Sequence, residues 1–233
     1  MALLELRNVK YSYKNEYQTV DAVKGISYTF ERGQMYSIVG RSGSGKTTLL
    51  SLMAGLDLPT EGEVVFDGLS TAKRDIEKYR RESAAVIYQN FMLFPLLTLA
   101  ENVMFPMEQN GMDTKKAYEK AMELLRKVGL TDDQANRYPA MISGGEKQRV
   151  AIARALGMGT PMILADEPTG NLDSSNSRNI IEILKHLAHD DDYCVIVVTH
   201  DEGFAAEADE MIHLKDGRRI TDTARTRVFT IEE

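Results

Sequence analysis

Gly40-Arg41-Ser42-Gly43-Ser44-Gly45-Lys46-Thr47 fits the pattern G-x-x-x-x-G-K-[ST] at every fixed position. It lies between an apolar strand-like run, Met35 to Val39, and a helix-like run, Thr48 to Leu56. Three glycines let successive backbone N–H groups turn inward around an anion, where a Cβ would stand in the way. The helix that follows brings its positive end to the same point. Lys46 can reach the outer phosphates of a nucleoside triphosphate, and the Thr47 hydroxyl can ligate Mg²⁺. A glycine-rich strand-to-helix turn with no ligand would need neither the lysine nor the hydroxyl in register. The stretch therefore predicts a nucleotide site, with Gly40 to Thr47 and Thr48 as its contacts.

The 233 residues are 43% hydrophobic and 27% charged, an ordinary soluble globular composition whose length suits one large domain with a subdomain inserted in it. No run approaches ~18 uninterrupted apolar residues, so no membrane span is expected. The acid at Glu5 and the lack of a small-residue cleavage site set the start apart from a secretory signal. Cys194 is the only cysteine, in the apolar run Tyr193 to Val198, and reads as a buried strand residue in a reducing compartment. A formal charge of −7 argues against wholesale nucleic-acid binding.

Strand signals fill the N-terminal part: an alternating segment from Leu4 through Leu6 and Val9, then Ile26–Phe30, Met35–Val39, Glu63–Phe66 and Ala84–Tyr88. The character changes at Asn90. Asp113 can cap a helix over Thr114–Val128 that places Ala117, Ala121, Leu124, Leu125 and Val128 near one face and stops at Gly129. A second helix is expected over Gly144–Leu156. The stretch from about Asn90 to Leu156 thus reads as a helical insertion into a strand–helix alternation. That alternation resumes with a strand at Met162–Ala165, a helix at Ser174–Ala188 and a strand at Cys194–Thr199. Asp216-Gly217 joins Met211–Lys215 and Arg218–Asp222 as a hairpin. The polar C-terminal dozen residues are expected to fray.

Met162 to Glu167 is an apolar strand ending in two acids. Ligands gather at the carboxyl ends of parallel strands, so both acids should face the phosphate loop. Asp166 would help hold Mg²⁺, and Glu167 would polarise the attacking water as general base. Ser143-Gly144-Gly145-Glu146 reads first as a helix capping box, Ser143 at the cap and Glu146 reaching back. Capping does not need two glycines in the first turn, where each costs up to ~1 kcal/mol against alanine. Close approach of an anion to bare N–H groups does need them. The chain carries two anion sites and one phosphate loop.

With these residues assembled, the chain resembles the nucleotide-binding subunit of an ATP-binding cassette (ABC) transporter over nearly its whole length. The phosphate loop matches Walker A, Asp166-Glu167 Walker B, and Ser143 to Gln148 the signature motif. Gln89 matches the Q-loop glutamine, Asn171-Leu172-Asp173 the D-loop, and His200 the switch histidine. Tyr13 best matches the aromatic that stacks on adenine, with Tyr11 and Tyr17 nearby. The resemblance implies an α/β P-loop NTPase (RecA-like) core with an N-terminal antiparallel β subdomain, residues 1–89 and 157–233. It places an inserted α-helical subdomain with the signature motif at 90–156. It implies an ATPase, turning ATP and water into ADP and phosphate, with Mg²⁺ at Thr47, Gln89 and Asp166 and with Glu167, His200 and Lys46 as catalytic groups. It also implies a head-to-tail homodimer in the ATP state. Ser143, Gly144, Gly145 and Glu146 of one chain then meet the nucleotide held by the other, and Asp173 connects the two sites.

A cassette of this kind works at the cytoplasmic face of the membrane through a separate permease, and the apolar stretch Phe91 to Leu97 is the expected contact. Leu164 to Asp173 and Pro95 to Val103 are similar to the branch of macrolide exporters, lipoprotein-release ATPases, antimicrobial-peptide resistance transporters and the cell-division ATPase. Gly157-Met158-Gly159-Thr160 departs from relatives that carry Asn or Asp before proline. A cassette acting on nucleic acid would bring paired cassettes, zinc modules or coiled coils, which this sequence lacks. A cell-division-like role, switching a membrane partner without transport, uses the same ATP chemistry and stays open from residues alone.

Overall fold

The computed structural model describes residues 2–14 and 17–220. The polar C-terminal segment expected to fray, and the last two residues of the expected strand Arg218–Asp222, lie outside the described residues.

Among the described residues the chain forms two sheets. The first takes β1 (Ala2–Lys14), β2 (Thr19–Glu31), β4 (Glu61–Phe66) and the two-residue β5 (Leu69–Ser70), antiparallel in the order β2-β1-β4-β5. The second takes β3 (Gln34–Val39), β6 (Ala84–Tyr88), β7 (Met162–Asp166), β8 (Cys194–Thr199), β9 (Glu210–Lys215) and β10 (Arg218–Ile220), in the order β10-β9-β3-β8-β7-β6. Its neighbours run parallel except β10, which returns from β9 through the Asp216-Gly217 turn and closes an edge. Val39 pairs with Thr199, and Asp166 lies between Tyr88 and Val198. The segments after β3, β6, β7 and β8 therefore leave the sheet along one edge, which is where such sheets collect ligands.

A two-residue period divides the core. Val195 and Val197 of β8 face one side with Ile163, Ala165 and Ile87, while Cys194, Ile196 and Val198 face the other with Ile38, Leu164 and Met162. On the second side α1 (Lys46–Met53) packs Leu49, Leu50 and Met53 beneath the antiparallel sheet. Cys194 is fully buried, as expected of a strand residue, and burial pushes its thiol up to about 12. The short α2 (Ile76–Glu82) precedes β6, its Asp75 cap accepting from Glu77 N and Lys78 N.

The first side carries the helices between β6 and β7: α3 (Leu99–Gln109), α4 (Thr114–Lys127), the one-turn α5 (Asp132–Ala135) and α6 (Gly144–Gly157). Asp113 caps α4 by accepting from Lys115 N and Lys116 N, a device worth about 1 kcal/mol. Its expected apolar face, Ala117 through Val128, is buried. Beyond β7, α7 (Ser174–His189) and the single turn α8 (Glu202–Ala205) cover the same side. Among the described residues, α2, α3, α5, α8, β5 and the first half of β2 carried no reading in the sequence.

Candidate nucleotide site

The loop from Val39 to Lys46 joins β3 to α1 at that sheet edge. Gly45 has φ +96, and a Cβ on it would sit 2.3 Å from the Ala22 carbonyl oxygen, so the loop lies directly on β2. Gly43 has φ +78 with nothing within 4 Å, so its backbone borders open space. Lys46 is buried, and its ammonium donates to Gly40 O (2.8 Å) and Arg41 O (3.2 Å) across the loop. The Ser44 hydroxyl is buried without a protein partner. A cradle with a fixed cation and an orphaned hydroxyl fits a phosphate group.

Above the loop lies a cleft of about 740 Å³, bordered by Tyr13, Val20, Ala22, Glu167, His200 and the loop. Thr47 Oγ1 donates to Asp166 Oδ1 at 3.4 Å. Burial is the largest influence on Asp166 and raises its carboxyl above the usual range; Glu167 adds to this, against the Thr47 hydroxyl and Lys46. A divalent cation would relieve that strain. One hydroxyl and one carboxylate beside phosphates is the donor set that Mg²⁺ takes.

Glu167 has a left-handed backbone, φ 48, which turns its carboxylate back toward the end of β8. There it accepts from Thr199 Oγ1 (3.1 Å) and His200 Nδ1 (2.8 Å), with the His200 backbone N–H at 3.3 Å. A carboxylate only accepts, so the proton of that pair sits on Nδ1, leaving Nε2 for a second partner. His200 is largely exposed and borders the cleft. Lys46, Glu167 and His200 thus share one space. Thr199 was not singled out in the sequence; a threonine closing a buried strand gives no signal of its role.

Tyr13 separates from its neighbours. Its hydroxyl is 3.1 Å from Thr48 Oγ1, and its ring meets Tyr11 edge-on at 5.0 Å. Tyr11 packs into the core and Tyr17 does not border the cleft, which leaves Tyr13 as the aromatic wall.

The remaining expected residues lie elsewhere. Gln89 leaves β6, its backbone carbonyl accepting from Asn171 Nδ2 (3.1 Å) and its side-chain amide 3.4 Å from Asn171 Oδ1. Asp173 is the N-cap of α7. Its carboxyl is pulled down to about 2, mainly by the Asn176 backbone N–H and then by the Asn176 and Ser175 side chains. Ser143 caps α6 in a complete capping box, donating to Glu146 Oε2 at 2.7 Å. Those Ser143 hydrogen bonds hold the Glu146 carboxyl below its usual range. Gly145 has a packing reason within its own chain, since a Cβ there would fall 2.1 Å from Asn176 Oδ1. Gly144 has none so tight, Leu172 being 3.5 Å away. None of Ser143, Gly144, Gly145 and Glu146 borders the cleft formed by the chain's own phosphate loop.

The family model for "ABC transporter" matches residues 23–170, more than half of the chain. The chain is 42% identical over 217 residues to the uncharacterized ABC transporter ATP-binding protein YclH of Bacillus subtilis, covering 93% of this chain and 95% of that protein. It is 43% identical over 221 residues to the macrolide export ATP-binding/permease protein MacB of Shigella flexneri, covering 94% of this chain but only 34% of MacB. Among solved structures, a dimeric post-hydrolysis state of the ATP-binding cassette MJ0796, bound to ADP and Pi, superposes with a TM-score of 0.84. That match is 40% identical and covers 93% of this chain and 97% of that one. On this evidence the chain belongs to the ABC transporter family, as an ATP-binding, ATP-hydrolysing cassette.

Proposed function

We propose that this cassette binds Mg²⁺–ATP between two head-to-tail copies and uses hydrolysis to drive a separate membrane permease of export type, moving a peptide, lipid or drug. The observation that carries the pairing is the separation just described: Gly144 at the start of α6 is spared by its own chain's packing, yet it stands away from its own cleft. A second copy would bring Ser143, Gly144, Gly145 and Glu146 onto the nucleotide, with Asp173 near both sites. The cassette MJ0796 is dimeric in two solved structures, one of them with ADP and Pi.

Within the site, Gly40 to Thr48 would hold the phosphates and Thr47 and Asp166 would hold Mg²⁺, with Gln89, next after the Tyr88 that pairs with Asp166, as the third expected metal residue. The metal supplies neutralisation of phosphate charge. Glu167 draws the proton of the attacking water, and His200 must carry a proton on both ring nitrogens to donate Nδ1–H to Glu167 and Nε2–H to the outermost phosphate. Tyr13 stacks on adenine. Tyr13→Ala should raise KM for ATP about tenfold with kcat within about threefold, since stacking on a base is worth about 1–3 kcal/mol. An unaltered KM in steady-state hydrolysis assigns the base contact elsewhere.

Among the described residues no helix is long and apolar enough to cross a membrane, and in this reading a permease supplies the span. The helical unit, residues 90–156, would receive it. Met92, Phe94 and Leu96 are 60%, 39% and 87% exposed, an apolar outer face that costs free energy in water. The loop is also built to hold its shape: buried Asn102 on α3 donates to Phe94 O, Leu97 O and Thr98 O and accepts from Phe94 N. The cassette would then sit peripherally on the cytoplasmic face. The test is co-purification from native membranes after mild detergent extraction. The tagged chain should bring down an integral membrane protein, and Leu96→Glu should lose it. A Leu96→Glu chain that retains the same partner moves the docking surface elsewhere.

A further inference from the structure

Phe91 and Met92 are consecutive non-glycine residues with φ 59 and φ 51, both in the left-handed region that side chains disfavour. Such a pair persists only where surrounding contacts over-determine it. Arg154, half-buried on the far half of α6, is the contact: one guanidinium nitrogen donates to Met92 O (2.6 Å) and another to Phe91 O (3.0 Å). The guanidinium also lies 6.0 Å from the centre of the Phe94 ring. The planar fork of arginine suits two carbonyls at once, which the single ammonium of lysine does not reproduce.

Both ends of this turn lead to the nucleotide machinery. On one side Asn171 Nδ2 holds Gln89 O and Asn90 Oδ1, each at 3.1 Å. On the other the Phe91 ring reaches Gly144, whose added Cβ would lie 3.8 Å from Phe91 Cζ. We propose that Arg154 is a positioning residue for hydrolysis: it clamps the left-handed Phe91-Met92 turn and so ties the placement of Gln89 to the position of the signature helix α6. When Ser143 and Gly144 engage a second copy's nucleotide, any shift of α6 is carried by the guanidinium to the Gln89 segment. The inference rests on the reading of Gln89 given above.

The test is a double-mutant cycle between Arg154 and Met92, read as steady-state ATP hydrolysis by the full chain. Arg154→Ala should lower kcat about tenfold while KM for ATP stays within about twofold, the signature of lost positioning. In a Met92→Gly background the same substitution should cost about threefold or less, because glycine takes a left-handed φ without a clamp. A packing role for Arg154 would give equal losses in both backgrounds. Equal losses, or no loss in the parent, overturn the proposal. Should Arg154→Ala fail to fold by circular dichroism, the cycle is run with Arg154→Lys; a smaller loss in the glycine background supports the clamp and equal losses overturn it. Gln89→Ala in the same assay separates the two ideas. An unchanged kcat there sinks the role of Gln89, whereas the Arg154–Met92 coupling is decided by its own cycle.

Discussion

Glu167→Gln should lower ATP turnover by about 10²–10⁴ while nucleotide binding survives, the range expected when a general base is removed. The substitution keeps the shape of the side chain, but Thr199 Oγ1 reaches Oε2 at 3.1 Å and His200 Nδ1 reaches Oε1 at 2.8 Å, so the one amide oxygen keeps only one of these contacts. What it loses is the capacity to take a proton from water. Because the phosphate loop, with Lys46 held by Gly40 O and Arg41 O, is untouched, the deficit belongs in kcat and not in KM. In the proposed cycle hydrolysis also ends the paired state, so the variant should accumulate in it. With ATP, light scattering should report twice the mass of the chain, falling back to one copy when nucleotide is removed. Near-normal phosphate release at saturating ATP would falsify the general-base assignment. A monomer under all conditions would remove the composite site. The two failures are separable, since a monomer can be catalytically dead and a dimer can be active.

Much of this site was legible because its constraints are local. A loop that must wrap an anion needs glycine, lysine and a hydroxyl at fixed spacing, and the sequence shows all three. The same holds for α4, where Asp113 starts the helix and Gly129 ends it within one residue of the expected bounds. Where tertiary contacts decide, the sequence was silent. Thr19 to Gly25 carries Asp21, Lys24 and Gly25, residue types that strands disfavour, yet pairing along β1 makes it strand. In α3, Pro106 sits inside the helix and its start follows a proline-containing loop, so helical periodicity is masked; the Thr98–Glu101 capping box was the available signal.

Gly145 shows the other kind of limit. Sequence logic gave both signature glycines one reason, the close approach of an anion. The structure divides them: Asn176 occupies the space beside Gly145, whereas Gly144 faces only loose contacts. A helix packed against the first turn of α6 cannot be foreseen from spacing, because α6 and α7 meet only in the folded chain. For the same reason Asn102 and Arg154, which shape the segment after Gln89, looked like ordinary helix residues, and Asn171 was matched to the D-loop without its hold on Gln89 O and Asn90 Oδ1.

Lys46→Ala should weaken ATP binding about a thousandfold, measured by calorimetry. A unit charge pair ~4 Å apart is worth about 4 kcal/mol at an effective dielectric near 20, and each ~1.4 kcal/mol is a factor of ten. That effective dielectric suits Lys46, which is buried and held by Gly40 O and Arg41 O. Ser42, by contrast, is exposed, and Ser42→Ala removes at most one neutral hydrogen bond, about 0.5–1.5 kcal/mol or roughly tenfold at the upper end. The two variants therefore rank a fixed charge against a neutral contact within one loop. Lysine also bridges two loop carbonyls, so its loss loosens the cradle and adds to the deficit. Arginine should not rescue it, because a planar fork is too wide for a pocket that one nitrogen fills. Circular dichroism guards against loss of fold, and α1 keeps its backbone hydrogen bonds in either variant. Binding by Lys46→Ala within about tenfold of the parent would mean that backbone N–H groups dominate, and the ammonium would then have to act in turnover alone.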